Sequence, residues 1–197
     1  MELDYIKSAV PEPMAILGLR LRPFCIGHFN LLTRFNCSFV CGGLPTIPDL
    51  TLGLLVCHQT FEEGYEFFAQ PDWEKTVRKW QRRFVHGIFK PRVIDWPEKF
   101  LLFSDYLRDG GRRPKTHPPD DQPAGRELNA PWQEILMHGL WKINPNWTES
   151  DLLNMPLSIA WMRFSTAQEI RGECRFESEL DRQIKADYER SKEEVVE

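Results

Sequence analysis

The sequence predicts a mainly α-helical protein, and three observations lead there. Apolar residues recur at helical spacing in most segments, capping-box pairs stand ahead of several of them, and strand-like alternation is nearly absent. The expected layout is a helical domain over 1–108, a Pro/Gly-rich linker or loop over 109–131, and a small helical domain over 132–197 that ends in a polar helix.

The stretch 14–21, MAILGLRL, is the one alternation that suits a strand. Over 25–35, Ile26, Phe29, Leu32 and Phe35 form a stripe with Pro23 just ahead, as in an amphipathic helix. A loop through Cys41, Gly42, Gly43, Pro45 and Pro48 follows. Asp49 then reads as the N-cap of a helix over 50–58, whose all-round apolarity implies burial on most sides. Thr60 and Glu63 form a T-x-x-E capping box for a helix over 61–70, closed by Pro71. Asp72 starts the next, on which Trp73, Val77, Trp80 and Phe84 share one face. A helix over 97–107 completes the first part.

The segment DGGRRPKTHPPDDQPAGRELNAP at 109–131 holds five prolines and three glycines, which gives the linker its assignment. Beyond it, a helix is expected over 133–142. Thr148 and Asp151 open a short helix that stops at Pro156, where a longer one begins with the proline in its first turn and runs towards Gly172. Leu157, Ala160, Trp161 and Phe164 face one way along it. Ser178 and Asp181 open the final helix, rich in Glu, Lys and Arg. The second part is small enough that it should pack on the first.

With 42% apolar and 27% charged residues, the chain has the composition of a folded protein. A net charge of -4 disfavours a surface that wraps nucleic acid as a whole. MELDYIKSAVPEP resembles neither a secretory signal nor a transit peptide, and the longest apolar run, 50–57, is far below the roughly 20 residues of a membrane span. An intracellular chain with no membrane attachment is therefore expected. Its five cysteines are then reduced thiols.

Cys37, Cys41, Cys57 and His58 give C-x3-C-x15-C-H, which holds ligand types that zinc prefers. Adjacent helical residues point about 100° apart, and Cys57 ends an apolar run. Buried thiols are the first reading, no metal or cofactor is expected, and zinc on these four residues is the alternative. Cys25 with His28, and Cys57 with His58, are candidate nucleophile and base pairs of the kind that any chain with five Cys and five His offers. No nucleophile elbow, oxyanion loop, Walker loop or G-x-G-x-x-G accompanies them, so no catalytic residue is assigned and the chain is read as non-enzymatic.

The main charge feature is the run 75–92, where Lys75, Arg78, Lys79, Arg82, Arg83, Lys90 and Arg92 are cations with no acid among them. One reading is a solvated face balanced by the acidic C-terminus. The other is a surface for an acidic partner, on which Trp73, Arg78, Trp80, Arg82 and Arg83 are the candidate contact residues, since Arg and Trp dominate binding hot spots. Trp132, Trp141, Trp147, Trp161 and Phe164 read as packing aromatics.

Two segments carry a resemblance. LRPFCIGHFNLLTRFNCSFVCGG with PDLTLGLLVCHQTFEEGYEFF, and LLNMPLSIAWMRFSTAQEIRG, are similar to patterns in small helical tail assembly chaperones and tail-associated proteins of bacteriophages and prophages. The resemblance covers residues 17–70 and 150–172 and rests on turn and packing patterns. It implies a non-enzymatic virion assembly protein of the bacterial host cytoplasm, or of the virion itself. Its expected partners are a tape-measure protein or tail tube subunit, with its oligomeric state open. A groove lined by Trp, Phe and Met with a basic rim would hold an apolar helix, with Gly27, Gly42, Gly43 and Pro156 setting its shape. The alternative is a small nucleic-acid-binding regulator that uses the basic 75–92 helix.

Overall fold

A hairpin comes first in the computed structural model, which describes residues 14–86, 94–117 and 130–177 together with Gln183 and Ala186. The alternation at 14–21 is two antiparallel strands, β1 (Met14–Ile16) and β2 (Leu19–Leu21), with Met14 opposite Leu21 and Ile16 opposite Leu19. Leu17 and Gly18 turn the chain with φ of 50° and 82°, the pair of left-handed residues that a tight hairpin loop uses. Ile16, Leu19 and Leu21 face the core.

Nine helices follow among the described residues: α1 (Ile26–Arg34), α2 (Ser38–Cys41), α3 (Ile47–His58), α4 (Phe61–Ala69), α5 (Trp73–His86), α6 (Trp96–Gly110), α7 (Trp132–Ile143), α8 (Glu149–Asn154) and α9 (Leu157–Ile170). The predicted mainly helical class is what the chain adopts. A second small sheet pairs β3 (Thr116–His117) with β4 (Arg175–Phe176), and neither strand was expected. No described helix is long and apolar enough to cross a membrane.

The core is built around α3. Its residues from Leu50 to Cys57 are all buried, and β2 and helices α1, α2, α4, α5 and α6 pack around it. Asp49 is not its N-cap, as the sequence suggested; Thr46 is. The Thr46 hydroxyl accepts the Asp49 N–H at 3.4 Å, and the Asp49 carboxylate accepts the Thr46 N–H at 2.9 Å. Pro48 sits in the first turn, where its missing N–H costs nothing. The same carboxylate accepts from the Ser38 hydroxyl at 3.2 Å and so ties the one-turn α2, read as loop from the sequence, to the start of α3.

At α4 the Thr60 and Glu63 capping box forms as the sequence indicated, and at α8 so does that of Thr148 and Asp151. Helix α6 begins one residue ahead of its expected start, capped by Asp95, and runs on through Gly110. Pro156 precedes α9 as its cap residue and bridges to Cys25, while Gly172 takes a φ of 71° just past the helix end. Of the expected last helix, Gln183 and Ala186 are helical; Ser178 and Asp181 lie outside the described residues, as do positions 118–129 of the 109–131 segment.

One hydrophobic cluster runs from Ile16 and Leu32 through Leu54 and Phe103 to Leu136, Leu140, Leu152 and Trp161. Backbone joins reinforce it: Leu157 N–H donates to the Phe24 carbonyl at 2.7 Å, and Phe61 N–H donates to Asn154 Oδ1 at 2.9 Å. Residues on both sides of the Pro-rich segment therefore share a core.

Candidate functional site

Helix α5 carries the predicted contact residues. Trp73 lies with its ring 4.9 Å from Phe35 and 5.4 Å from Phe68, and Trp80 lies 5.7 Å from Phe84, so both indoles are half-buried against the hydrophobic cluster. Arg78, Lys79, Arg82 and Arg83 are exposed. Acids just ahead of the basic run bind part of its charge: Lys75 pairs with Asp72 at 2.7 Å and Arg78 with Glu74 at 3.0 Å. The Arg83 guanidinium sits 5.0 Å from the Trp80 ring centre. Lys90 and Arg92 lie outside the described residues.

The four residues of the zinc alternative do not converge. Cys37 is buried and points at the Asp49 carbonyl, Cys41 is exposed, Cys57 is fully buried, and the exposed His58 donates from Nδ1 to the Arg20 carbonyl at 2.7 Å. Among the described residues no three His, Cys, Asp or Glu side chains come together in a way that could hold a metal ion.

Cys25 and His28 do meet, but as a structural pair. The Cys25 thiol accepts the His28 backbone N–H at 3.4 Å and caps α1. The imidazole donates from Nε2 to the Gln59 carbonyl at 2.8 Å, which leaves Nδ1 buried with no partner. Burial pushes the Cys25 thiol up to about 12 and lowers the His28 imidazole to about 4. The thiol stays protonated and the ring neutral near pH 7.

A concavity of apolar lining lies elsewhere. A cavity of about 500 Å³ opens between α1, α2, α6, α7 and α9, lined chiefly by Phe24, Phe29, Phe39, Leu107, Trp132 and Trp161. Phe29 meets Trp132 edge-on at 4.9 Å, and Trp132 stacks on Trp161 at 5.6 Å, so the aromatic wall is held by its own contacts. Ser104, Arg108 and Arg113 stand at its polar edge. Arg108 is tied to Asp105 at 2.7 Å; Arg113 lies 3.9 Å from the Trp161 ring centre. Comparison with protein-family models, curated proteins and solved structures finds no match for the chain.

Such a groove can take a few apolar side chains of Leu size, its volume falling within the roughly 300–1,000 Å³ of ligand sites. Sequence reading missed it. Of the aromatics assigned to packing, Trp161 is buried, Trp132, Trp147 and Phe164 are half-buried, and Trp141 is exposed. Trp132 and Trp161 both pack and line the groove. Arg113 drew no notice because it sits in the Pro-rich segment, whose composition signals a loop rather than a side chain placed over a ring.

Three of the predicted shape-setting residues have definite places. A Cβ on Gly27 would stand 2.7 Å from the Phe61 side chain, so α1 and α4 approach there only because no side chain intervenes. Gly42 and Gly43 have φ of 86° and 113° after α2, a backbone that other residues rarely adopt.

Proposed function

We propose that the chain is a non-enzymatic tail-assembly protein of the phage and prophage type. In this reading it holds an apolar helical segment of a tape-measure or tail tube protein during virion assembly. The observation that carries the reading is the aromatic groove with its cationic edge. Phe24, Phe29, Phe39, Leu157 and Trp161 of its lining fall inside residues 17–70 and 150–172, the two segments that resemble such proteins.

A helix laid in the groove would bury anchors at i, i+4 and i+7 spacing. Each Leu-sized anchor contributes about 1.5–3 kcal/mol on leaving water. That suits a holding protein, which must bind and later release. The test is co-expression with the tape-measure protein of the same gene cluster, followed by purification of the pair. Co-purification that survives high salt and is lost when Ser104→Trp fills the groove is expected; two proteins that purify apart would sink the reading.

The second reading is a nucleic-acid binder, favoured by the exposed Lys79, Arg82 and Arg83 on α5 beside Trp80. It requires affinity that falls steeply with salt. Replacing Arg78, Arg82 and Arg83 by Ala should leave folding intact and remove that affinity. A chain that ignores DNA and RNA even at low salt disposes of this reading.

A further inference from the structure

We infer that Arg113 is the specificity-determining residue of the groove, reading a carboxylate that the bound helix carries beside its apolar anchors. The inference rests on the groove being a helix-binding site and names the chemistry of its occupant. The cations along this edge are not equivalent. Arg108 pairs with Asp105 and Asp109, Arg112 with Asp109, and Lys115 with the buried Glu177. Among the described residues no acid pairs with Arg113, although its side chain is exposed at the groove edge.

What holds Arg113 is Trp161, whose ring centre is 3.9 Å from the guanidinium carbon. At that distance the cation rests against the ring, which orders it without using its hydrogen-bond donors. Those donors lie in the guanidinium plane in a fork that matches a carboxylate. Trp161 is itself braced by Trp132 at 5.6 Å, so the arginine is pre-positioned by the same aromatic wall that would take the apolar anchors. A helix with Leu-type anchors and a Glu or Asp one turn away would satisfy both halves of the site. A basic helix would be repelled by Arg113 in the same pose.

The experiment uses the full chain and two capped helical peptides of about 15 residues. They have identical Leu anchors at i, i+4 and i+7 and differ only by Glu or Gln one turn from the central anchor. Calorimetry on the wild-type chain should give roughly fivefold tighter binding for the Glu peptide at low salt, a gap that narrows as salt rises. The Arg113→Gln chain, changed at an exposed position, should bind both peptides alike. Equal affinity of the two peptides for the wild-type chain overturns the role of Arg113 and leaves the groove reading standing. Failure of both to bind, binding unaffected by Ser104→Trp, or a dimer that Ser104→Trp disperses would overturn the groove reading itself, the last because a second copy would be its occupant.

Discussion

His28 shows how one buried side chain can set a pH limit on the whole chain. Its ring is 1% exposed, and burial is the main reason that its folded pKa lies near 4, against 6.5 for the free group; the Gln59 carbonyl pulls the other way and the charge of Arg22 adds to the lowering. Between those two values the unfolded chain binds a proton that the folded chain does not, so His28 contributes its full stability above pH 6.5 and loses it as pH falls towards 4. At pH 4.5 the loss should be roughly 2–3 kcal/mol, taking about 1.4 kcal/mol per pH unit. Urea midpoints of the wild type and of His28→Gln at pH 7 and 4.5 check this. Glutamine can donate to the Gln59 carbonyl but cannot titrate, so the variant should lose less stability on acidification, and parallel losses would refute the assignment. The sequence placed His28 on a helix beside Cys25, but it could not show that both would be enclosed, because their partners, the Gln59 carbonyl for His28 and Pro156 for Cys25, lie far along the chain. A second residue-scale prediction concerns Gly27. Gly27→Val, which drives side-chain atoms into Phe61, should cost about 1–3 kcal/mol, read as a lower urea midpoint with unchanged slope.

Helix boundaries were legible where their chemistry is local. The boxes of Thr60 with Glu63 and of Thr148 with Asp151 are reciprocal contacts across three residues, and both form as read. At α3 the eye goes to Asp49 because the unbroken apolar run starts at Leu50. Thr46-x-x-Asp49 with Pro48 between is nonetheless the same device one turn earlier. The hairpin turn was hidden by Leu17, since a branched residue at positive φ is not a turn signal. β3 and β4 are two residues each and meet from positions 116 and 175, so nothing local announces them. The double role of Asp49 leads to a prediction at this scale. Its carboxylate is partly buried, which works against ionisation, yet the hydrogen bonds from Thr46 and Ser38 outweigh that and hold its pKa below the ordinary value. Asp49→Ala removes the carboxylate half of the capping box at the central helix, leaving the Thr46 hydroxyl on the residue-49 N–H, and the tether of α2 together. It should cost about 1–2 kcal/mol in urea denaturation, more than Ser38→Ala, which removes only the hydroxyl part of the tether and leaves the Ser38 N–H on Asp49 Oδ1. Equal costs would mean that the carboxylate half of the box contributes nothing to α3.

At the scale of the whole molecule, the groove and the core have the same origin in contacts between residues distant in the chain. Phe24, Arg113, Trp132 and Trp161 become neighbours only once α9 has docked on α6 and α7, which is why helix-by-helix reading found the contributors and not the site. The docking depends on polar joints as well as on apolar area. Asn154, at the end of α8, accepts the Phe61 N–H with Oδ1 and donates from Nδ2 to the Glu62 carboxylate at 2.8 Å. Phe61 N–H is one of the first-turn donors that a helix cannot satisfy itself, so a residue 93 positions away completes the start of α4. Asn154→Ala would leave that donor without its partner and Glu62 without one of its hydrogen bonds, at an expected cost of about 2 kcal/mol. If the shared core makes folding cooperative across the Pro-rich segment, that loss falls on the whole chain at once. Far-UV circular dichroism, which follows all the helices, and tryptophan fluorescence, which includes Trp132 and Trp161, should then shift together to lower urea. Two separated transitions, with only one moved by the substitution, would mean that the helices before and after the Pro-rich segment unfold independently and that the groove between them can open without loss of either part.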